Sequence, residues 1–514
     1  MSPQPTWPPR VRIEQLWLAL PVAVVVWKGL SHRLSDIDFW WHLKAGEVIL
    51  TTGSIPRIDL FSFTAAGRPF VHQAWLMEVL YCAVHRAGGF PLLIAFNTAL
   101  LLAALLPVYR LCSEGAGTPR VAACAAYLPA LSLTFYGLVR PQVASFTLFA
   151  LFYWILSSPQ RRGSKLLWLL PALMGLWVNL HGAFVLGLGL LTLFLLCEAA
   201  RRLFGAPESP SCPELRRLAT ALFAALVATL ANPEGPGVYA PVRAVLTDPS
   251  SQTFVAEWQP PRVDRLEGIQ VFYGPFLIVL LALLASTRRP RAWESGFFLV
   301  FAAFAMTATR NGIWFSLVAA PILARQLAAI DWRPLEPLRR FRLIDGLVRG
   351  VSRPADPNPR HGLNAAIAGV ALAATLVASP WVYPRLGVKR LGTALWSPNT
   401  PVGVMDYLQA HRVEGNIFHP QAYGDYLMWR LWPRQRTFID GRVHLFDPSV
   451  VRDYLLALLD PHWEQRLAKY DIRYVLLSKS AEEQKTLIAS ARASAGWPLR
   501  YEDEESVLFE KGVR

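Results

Sequence analysis

Charge is scarce in this chain of 514 residues. Asp, Glu, Lys and Arg make up 17% of it, against 53% hydrophobic residues. A soluble chain carries charge at about a quarter of its positions, so an ordinary water-facing surface is a poor fit. Cysteine is scarce too. Cys82, Cys112, Cys124, Cys197 and Cys212 form no CxxC pair and no metal-ligand spacing, and none follows residue 212. This argues against a disulfide framework. The chain lacks internal repeats and has no low-complexity segment beyond its proline-rich N-terminus. Its first apolar segment lacks a small-residue cleavage site, so it reads as an uncleaved helix and not as a signal peptide.

Apolar runs dominate the first 380 residues, among them 90–108, 121–138, 183–196, 271–285 and 365–378. With a mean hydropathy of +0.31, the pattern is that of an α-helical polytopic membrane protein. Several runs are shorter than the roughly 20 residues that span a bilayer, so aromatic and polar flanks must complete the crossing. The net charge of +15 does not point to nucleic acid, because the basic residues cluster in alternate loops. These are 110–120, 161–165, 201–217, 288–291 and 325–360. Loops with this bias are retained on the cytoplasmic side. Arg10 and Arg12 precede the first helix, which puts the N-terminus inside. The segment 72–89, "HQAWLMEVLYCAVHRAGG", is apolar enough to cross, but crossing would invert every later basic loop. It carries His72, Glu78, His85 and Arg86 and reads as an amphipathic helix on the outer surface.

The expected architecture is therefore about eleven crossings, N-terminus in and C-terminus out. A membrane domain spans 1–381, with its first outer loop at 31–89. From 382 to 514 charge and proline rise. "GNIFH", "RTFID" and "RYVLLSK" read as short strands. "PVGVMDYLQAH", "PSVVRDYLLALL" and "AEEQKTLIASARAS" have helical spacing. This predicts a small extracytoplasmic α/β domain. The expected location is the inner (plasma) membrane, with the lipid bilayer as a partner.

Polar residues beside apolar segments are costly unless used, and here many fall on one face. Asp36, Asp38, His42, Asp59, His72 and Glu78 belong to the first outer loop. Arg140 and Gln142, Asn179 and His181, Asn232, Glu257 and Trp258, and Arg310 and Asn311 belong to later outer turns. Each has a plainer reading. Asp38 could N-cap the helix that follows it. Asp59 could form a turn. Glu78 could pair with Arg86 or Arg68. Arg140 and Arg310 could anchor to lipid phosphate.

The layout resembles the GT-C fold of membrane glycosyltransferases, which use sugars carried on polyprenyl phosphates, including the mannosyl- and aminoarabinose-transferase types. The likeness covers roughly residues 1–380 and is most specific at 36–89. There Asp38 heads an amphipathic helix, Gly53 ends it, and "HQAWLMEVL" opens a second. The stretch 422–442, "AYGDYLMWRLWPRQRTFIDGR", is similar to part of the outer domain of oligosaccharyltransferases, without that motif's tryptophan-rich part. The family often has adjacent acids, whereas Ile37 separates Asp36 from Asp38.

The resemblance implies an inverting transferase with Asp38 as general base and Asp36 as second candidate. His42, His72, Glu78, Arg140, His181 and Arg310 would bind substrate. A carboxylate takes the proton of an acceptor hydroxyl as it attacks the anomeric carbon, and cations or donors meet the charge growing on the lipid phosphate. No cofactor or metal is expected, although Asp-x-Asp could hold a divalent ion. The implied partners are a polyprenyl-phosphate-linked sugar and a glycan, lipid or protein acceptor. The competing readings are a lipid-linked sugar transporter or flippase, and a non-catalytic scaffold with an outer binding domain. The topology is testable directly: a reporter fused after residue 390 is expected on the outer side, and a cytoplasmic signal there would break the map.

Overall fold

The computed structural model of the chain describes residues 11–34, 37–247, 256–331, 333, 340, 360–386, 395–397, 399–460 and 462–512. Asp36 and most of the basic linker lie outside them.

The first apolar segment forms the helix Ile13–Leu30. The helix Phe39–Thr52 comes next and stops at Gly53, whose φ of 67° favours a residue without Cβ. The next helical stretch runs from Trp75 to Gly115 but leaves helical geometry at Gly88 and Gly89. That break divides the expected surface helix from the apolar run that opens at Phe90. The Phe39–Thr52 helix packs tightly on the surface helix: a Cβ at Gly46 would overlap the Glu78 carbonyl.

Among the described residues, four helices are long and apolar enough to cross a membrane: Ile13–Leu30, Trp75–Gly115, Phe184–Leu203 and Leu266–Ala285. Shorter apolar helices occupy Gln142–Leu156, Lys165–Leu180, Ala292–Thr307 and His361–Val377. Their outward faces are strongly apolar. Leu203, Leu284 and Val370 are 80%, 75% and 70% exposed, which in water would be a large unpaid hydrophobic surface and in lipid is the natural one.

The C-terminal part holds a four-stranded sheet in the order β1-β2-β4-β3. The strands are β1 Asn416–Phe418, β2 Ile472–Ser478, β3 Leu499–Glu502 and β4 Ser506–Glu510. β1 lies parallel to β2, and the other pairs are antiparallel. The expected helices appear at Val402–Ala410, Pro448–Leu459 and Lys485–Ala493. "RTFID" is not a strand of this sheet. Its Thr437 pairs instead with the loop that follows Gly53: Thr437 N–H donates to the Phe61 carbonyl and Phe63 N–H donates to the Thr437 carbonyl, both at 3.0 Å. The apolar pattern there is real, but a different neighbour satisfies its backbone. Nothing in the sequence pattern had marked β3 and β4.

The same junction carries a buried charge cluster. The Arg442 guanidinium is fully buried, 2.7 Å from Asp59 of that loop and 2.6 Å from Asp440. Phe61 and Phe70 lie against it, 5.3 and 5.2 Å from its centre to their ring centroids. Burial works to raise the Asp440 carboxyl, and Arg442 holds it below its ordinary value. Replacing Arg442 with Met is expected to cost about 3–5 kcal/mol, because two carboxylates lose their partner in a dry site. Denaturation of the purified variant checks this, and a loss under about 1 kcal/mol would contradict it.

Candidate functional site

Asp38 stands at the start of the Phe39–Thr52 helix, but its side chain makes no cap hydrogen bond. Its φ of 65° is left-handed, a costly conformation for a residue with a Cβ. Contacts on both sides hold it there. The Asp38 N–H donates to Asp425 Oδ2 at 2.6 Å, and its carboxylate lies 3.3 Å from Arg140 Nε. Asp425 sits on the helix Gln421–Leu431 and also accepts from Gly441 N–H at 2.9 Å. A Cβ at Gly441 would collide with both Asp38 and Asp425, so only glycine admits this approach. Burial, then the charges of Asp440 and Asp38, push the Asp425 carboxyl well above the usual range. The two backbone N–H groups that Asp425 accepts, from Asp38 and Gly441, work the other way and favour its charged form.

A charged chain leads away from Asp38. Arg140 reaches Glu257 at 3.2 Å, and Glu257 reaches Arg310 at 3.2 Å. The Arg310 guanidinium stacks over Trp258 at 4.4 Å and lies 3.4 Å from Gln142 Oε1. Burial works against the Glu257 carboxylate, but Arg310 and Arg140 hold its proton affinity below the ordinary value.

Arg310, Gln142 and Trp258 also line a cavity of about 760 Å³, together with His42, His181 and Tyr136. Its remaining wall is largely apolar, with Phe146, Phe304, Trp314 and Leu186. A volume of this order suits a sizeable ligand. His181 is buried, and burial followed by the charge of Arg310 pulls its imidazole down to about 3. Ala183 N–H donates to His181 Nδ1 at 3.2 Å. Ser145 Oγ lies 2.9 Å from the same nitrogen and accepts from Trp177 Nε1 at 2.7 Å. These contacts assign the proton of the neutral ring to Nε2.

His42 and His72 flank Glu78. Their Nδ1 atoms lie 3.0 and 3.1 Å from its two carboxylate oxygens. Glu78 is 0% exposed and His72 4% exposed, so this pair stands behind His42 and not on the cavity wall. Glu78 pairs with neither Arg86 nor Arg68. Arg68 instead reaches Asp447 at 3.0 Å.

The structure thus gathers Asp38, Arg140 and Arg310 in one charged chain, with His42 and His181 on the cavity beside it. Asp59 belongs to the Arg442 cluster. Among the described residues no three His, Cys, Asp or Glu side chains are grouped to hold a metal ion, and Asp36 lies outside those residues. Sequence reasoning grouped Glu257 with Arg140 and Arg310 without seeing that it bridges the two arginines. It did not assign Asp425, Asp440, Gly441 or Arg442. The available signal was "FIDGR", two apolar residues followed by an acid, a glycine and a base.

No protein-family model matches the chain, and no curated protein matches it in sequence. Solved structures do match in fold. The archaeal oligosaccharyltransferase AglB from Archaeoglobus fulgidus, in complex with an inhibitory peptide and a dolichol-phosphate, superposes with a TM-score of 0.55 at 12% identity. The match covers 97% of this chain and 74% of that one. ArnT from Cupriavidus metallidurans in the apo state superposes with a TM-score of 0.51 at 16% identity, over 96% of this chain and 98% of that one. The chain therefore has the GT-C fold.

The depressed His181 value has a measurable sign. In the window from pH 6.5 down to about 3, the unfolded ring takes up a proton and the folded ring does not. His181 thus favours folding above pH 6.5, and that contribution is lost as pH falls. His181→Gln is expected to lose less stability than the native chain between pH 7 and 4.5, by about 2 kcal/mol. Thermal unfolding at the two pH values checks it, and equal losses would contradict a neutral buried ring.

Proposed function

We propose that this protein is a multi-pass membrane glycosyltransferase that moves a sugar from a polyprenyl-phosphate carrier to an acceptor hydroxyl. The observation that carries the reading is the GT-C fold, with the Asp38 carboxylate joined through Arg140 to the Arg310 wall of a large cavity. AglB was solved with a dolichol-phosphate, a lipid phosphate of the class proposed here.

In this reaction Asp38 accepts the proton of the acceptor hydroxyl. The freed oxygen forms a bond to the anomeric carbon from the side opposite the phosphate. The bond from that carbon to the phosphate oxygen breaks, and the lipid phosphate departs with the electron pair. One displacement inverts the sugar carbon. Arg140 and Arg310 supply positive charge to the leaving phosphate, and His181 offers its Nε2–H as a neutral donor. His42 borders the cavity with its ring held by Glu78, which also holds His72. A ring fixed in this way presents its other nitrogen in one direction.

The proposal places the site at the outer face of the inner (plasma) membrane, with about eleven crossings, the N-terminus inside and 382–514 as an extracytoplasmic domain on a membrane domain of 1–381. It requires no cofactor. A divalent ion held by Asp36 and Asp38 is the alternative. The acceptor is a hydroxyl of a glycan, lipid or protein.

Asp38→Asn keeps the shape of the side chain and removes its basicity. It is expected to lower transfer at least about 100-fold while the protein still inserts and folds. Mass spectrometry of glycolipids and glycans from cells with native or variant protein reads the outcome. Unchanged products with D38N would overturn the assignment. Sugar-lipid movement across proteoliposomes with no covalent product would favour transport instead.

A further inference from the structure

Glu257 occupies the space between the two arginines that the proposed reaction needs. Its Oε2 lies 3.2 Å from Arg140 Nη1, and its Oε1 lies 3.2 Å from Arg310 Nη1. Oε1 also lies 3.4 Å from Arg140 Nη1, so one anionic centre with two oxygens bridges both guanidiniums. A phosphodiester offers the same thing, two charged oxygens on one centre, and arginine pairs recognise both groups in this way. The local charge count is balanced: Arg140 and Arg310 face Asp38 and Glu257. A phosphodiester entering beside them would leave an uncompensated negative charge in a poorly solvated place, unless one carboxylate withdraws. Asp38 is held by the Asp425 contact and by its helix. Glu257 sits on a three-residue turn, Ala256–Trp258, and its side chain is 26% exposed.

The turn is also placed to report on the cavity. Trp258 lies under Arg310 and lines the cavity. The Gln259 carbonyl accepts from Thr309 N–H at 2.8 Å and from Thr309 Oγ1 at 2.9 Å. Glu257 is thus the tip of a turn that is fixed at Gln259. Arg140 has a side chain only 13% exposed, and Glu257 covers one of its faces.

We propose that Glu257 is an internal stand-in for the phosphate of the lipid carrier, holding Arg140 and Arg310 until the carrier binds and leaving them when it does. The inference rests on the reading of the chain as a polyprenyl-phosphate-dependent transferase. It adds that the anion clamp is competitively blocked by the protein's own carboxylate. Displacement of Glu257 returns the local charge to balance, with Asp38 and one phosphodiester facing two arginines.

The test is equilibrium binding of a polyprenyl phosphate, as its methyl phosphodiester, to the full chain in nanodiscs of uncharged lipid. Inorganic phosphate and the uncharged polyprenol serve as separate probes. Glu257→Gln keeps the size of the side chain and removes the competing charge. It is expected to bind the polyprenyl phosphate about tenfold more tightly than the native chain, with binding of the polyprenol unchanged. Arg310→Ala is expected to lose the gain when combined with E257Q. Thermal unfolding of each variant separates altered binding from altered folding. Equal or weaker binding by a folded E257Q protein overturns the stand-in role. If neither the native chain nor E257Q prefers the phosphate to the polyprenol, the carrier reading itself falls. A gain for inorganic phosphate equal to that for the lipid assigns the clamp to a free anion and overturns the carrier as its ligand.

Discussion

Arg442 is the contact on which the rest depends. Its guanidinium is closed off from water and divides its donors between Asp59, in the loop after Gly53, and Asp440 of the C-terminal part. Such a cluster adds little net stability, because three charges must be stripped of water. What it supplies is discrimination. Any shift of the C-terminal part against the loop would strand a charge in an apolar setting, so one relative placement is strongly preferred. The backbone pairing of Thr437 with Phe61 and Phe63 uses the same placement. Asp425 and Gly441, which flank this region in sequence, arrive against Asp38 because of it.

Once Asp38 is fixed, charge alternates outward from it. Asp38, Arg140, Glu257 and Arg310 form a row in which each group is stabilised by the opposite sign on either side. The row ends on a cavity with a mainly apolar wall, so charge and lipid-like surface meet at Arg310. A second buried set, His42, Glu78 and His72, supports the cavity from behind. Histidines are used here in two ways. His181 is kept neutral by burial, while His42 and His72 are placed on a carboxylate.

Much of this was legible in the sequence, because the relevant signals are local. The Asp38 helix with its Gly53 stop, and the surface helix ending at Gly88–Gly89, follow from polarity, periodicity and glycine placement. Loop charge, which orders the helices, also groups Arg140, His181 and Arg310, and these side chains do lie near one another. The unread parts depend on contacts between distant segments. "RTFID" has a strand's pattern, but no local rule says that its partner is an outer loop. Glu257 looked like one loop acid among several, since only three dimensions put it between two arginines. Asp38 as a plain helix cap was a fair local reading, and the left-handed backbone removes it. The strands β3 and β4 escaped notice because β3 is mostly exposed and shows no alternation.

The hydrogen bond from Asp38 to Asp425 joins residues 387 positions apart. Asp38 is synthesised well before Asp425. Until Asp425 has been made, the Asp38 N–H lacks the carboxylate that receives it. The centre therefore comes into register only after the helix Gln421–Leu431 has formed. A product stalled short of that helix would carry the apolar helices up to His361–Val377 and still lack this contact, so inserting the helices and assembling the centre are separate events.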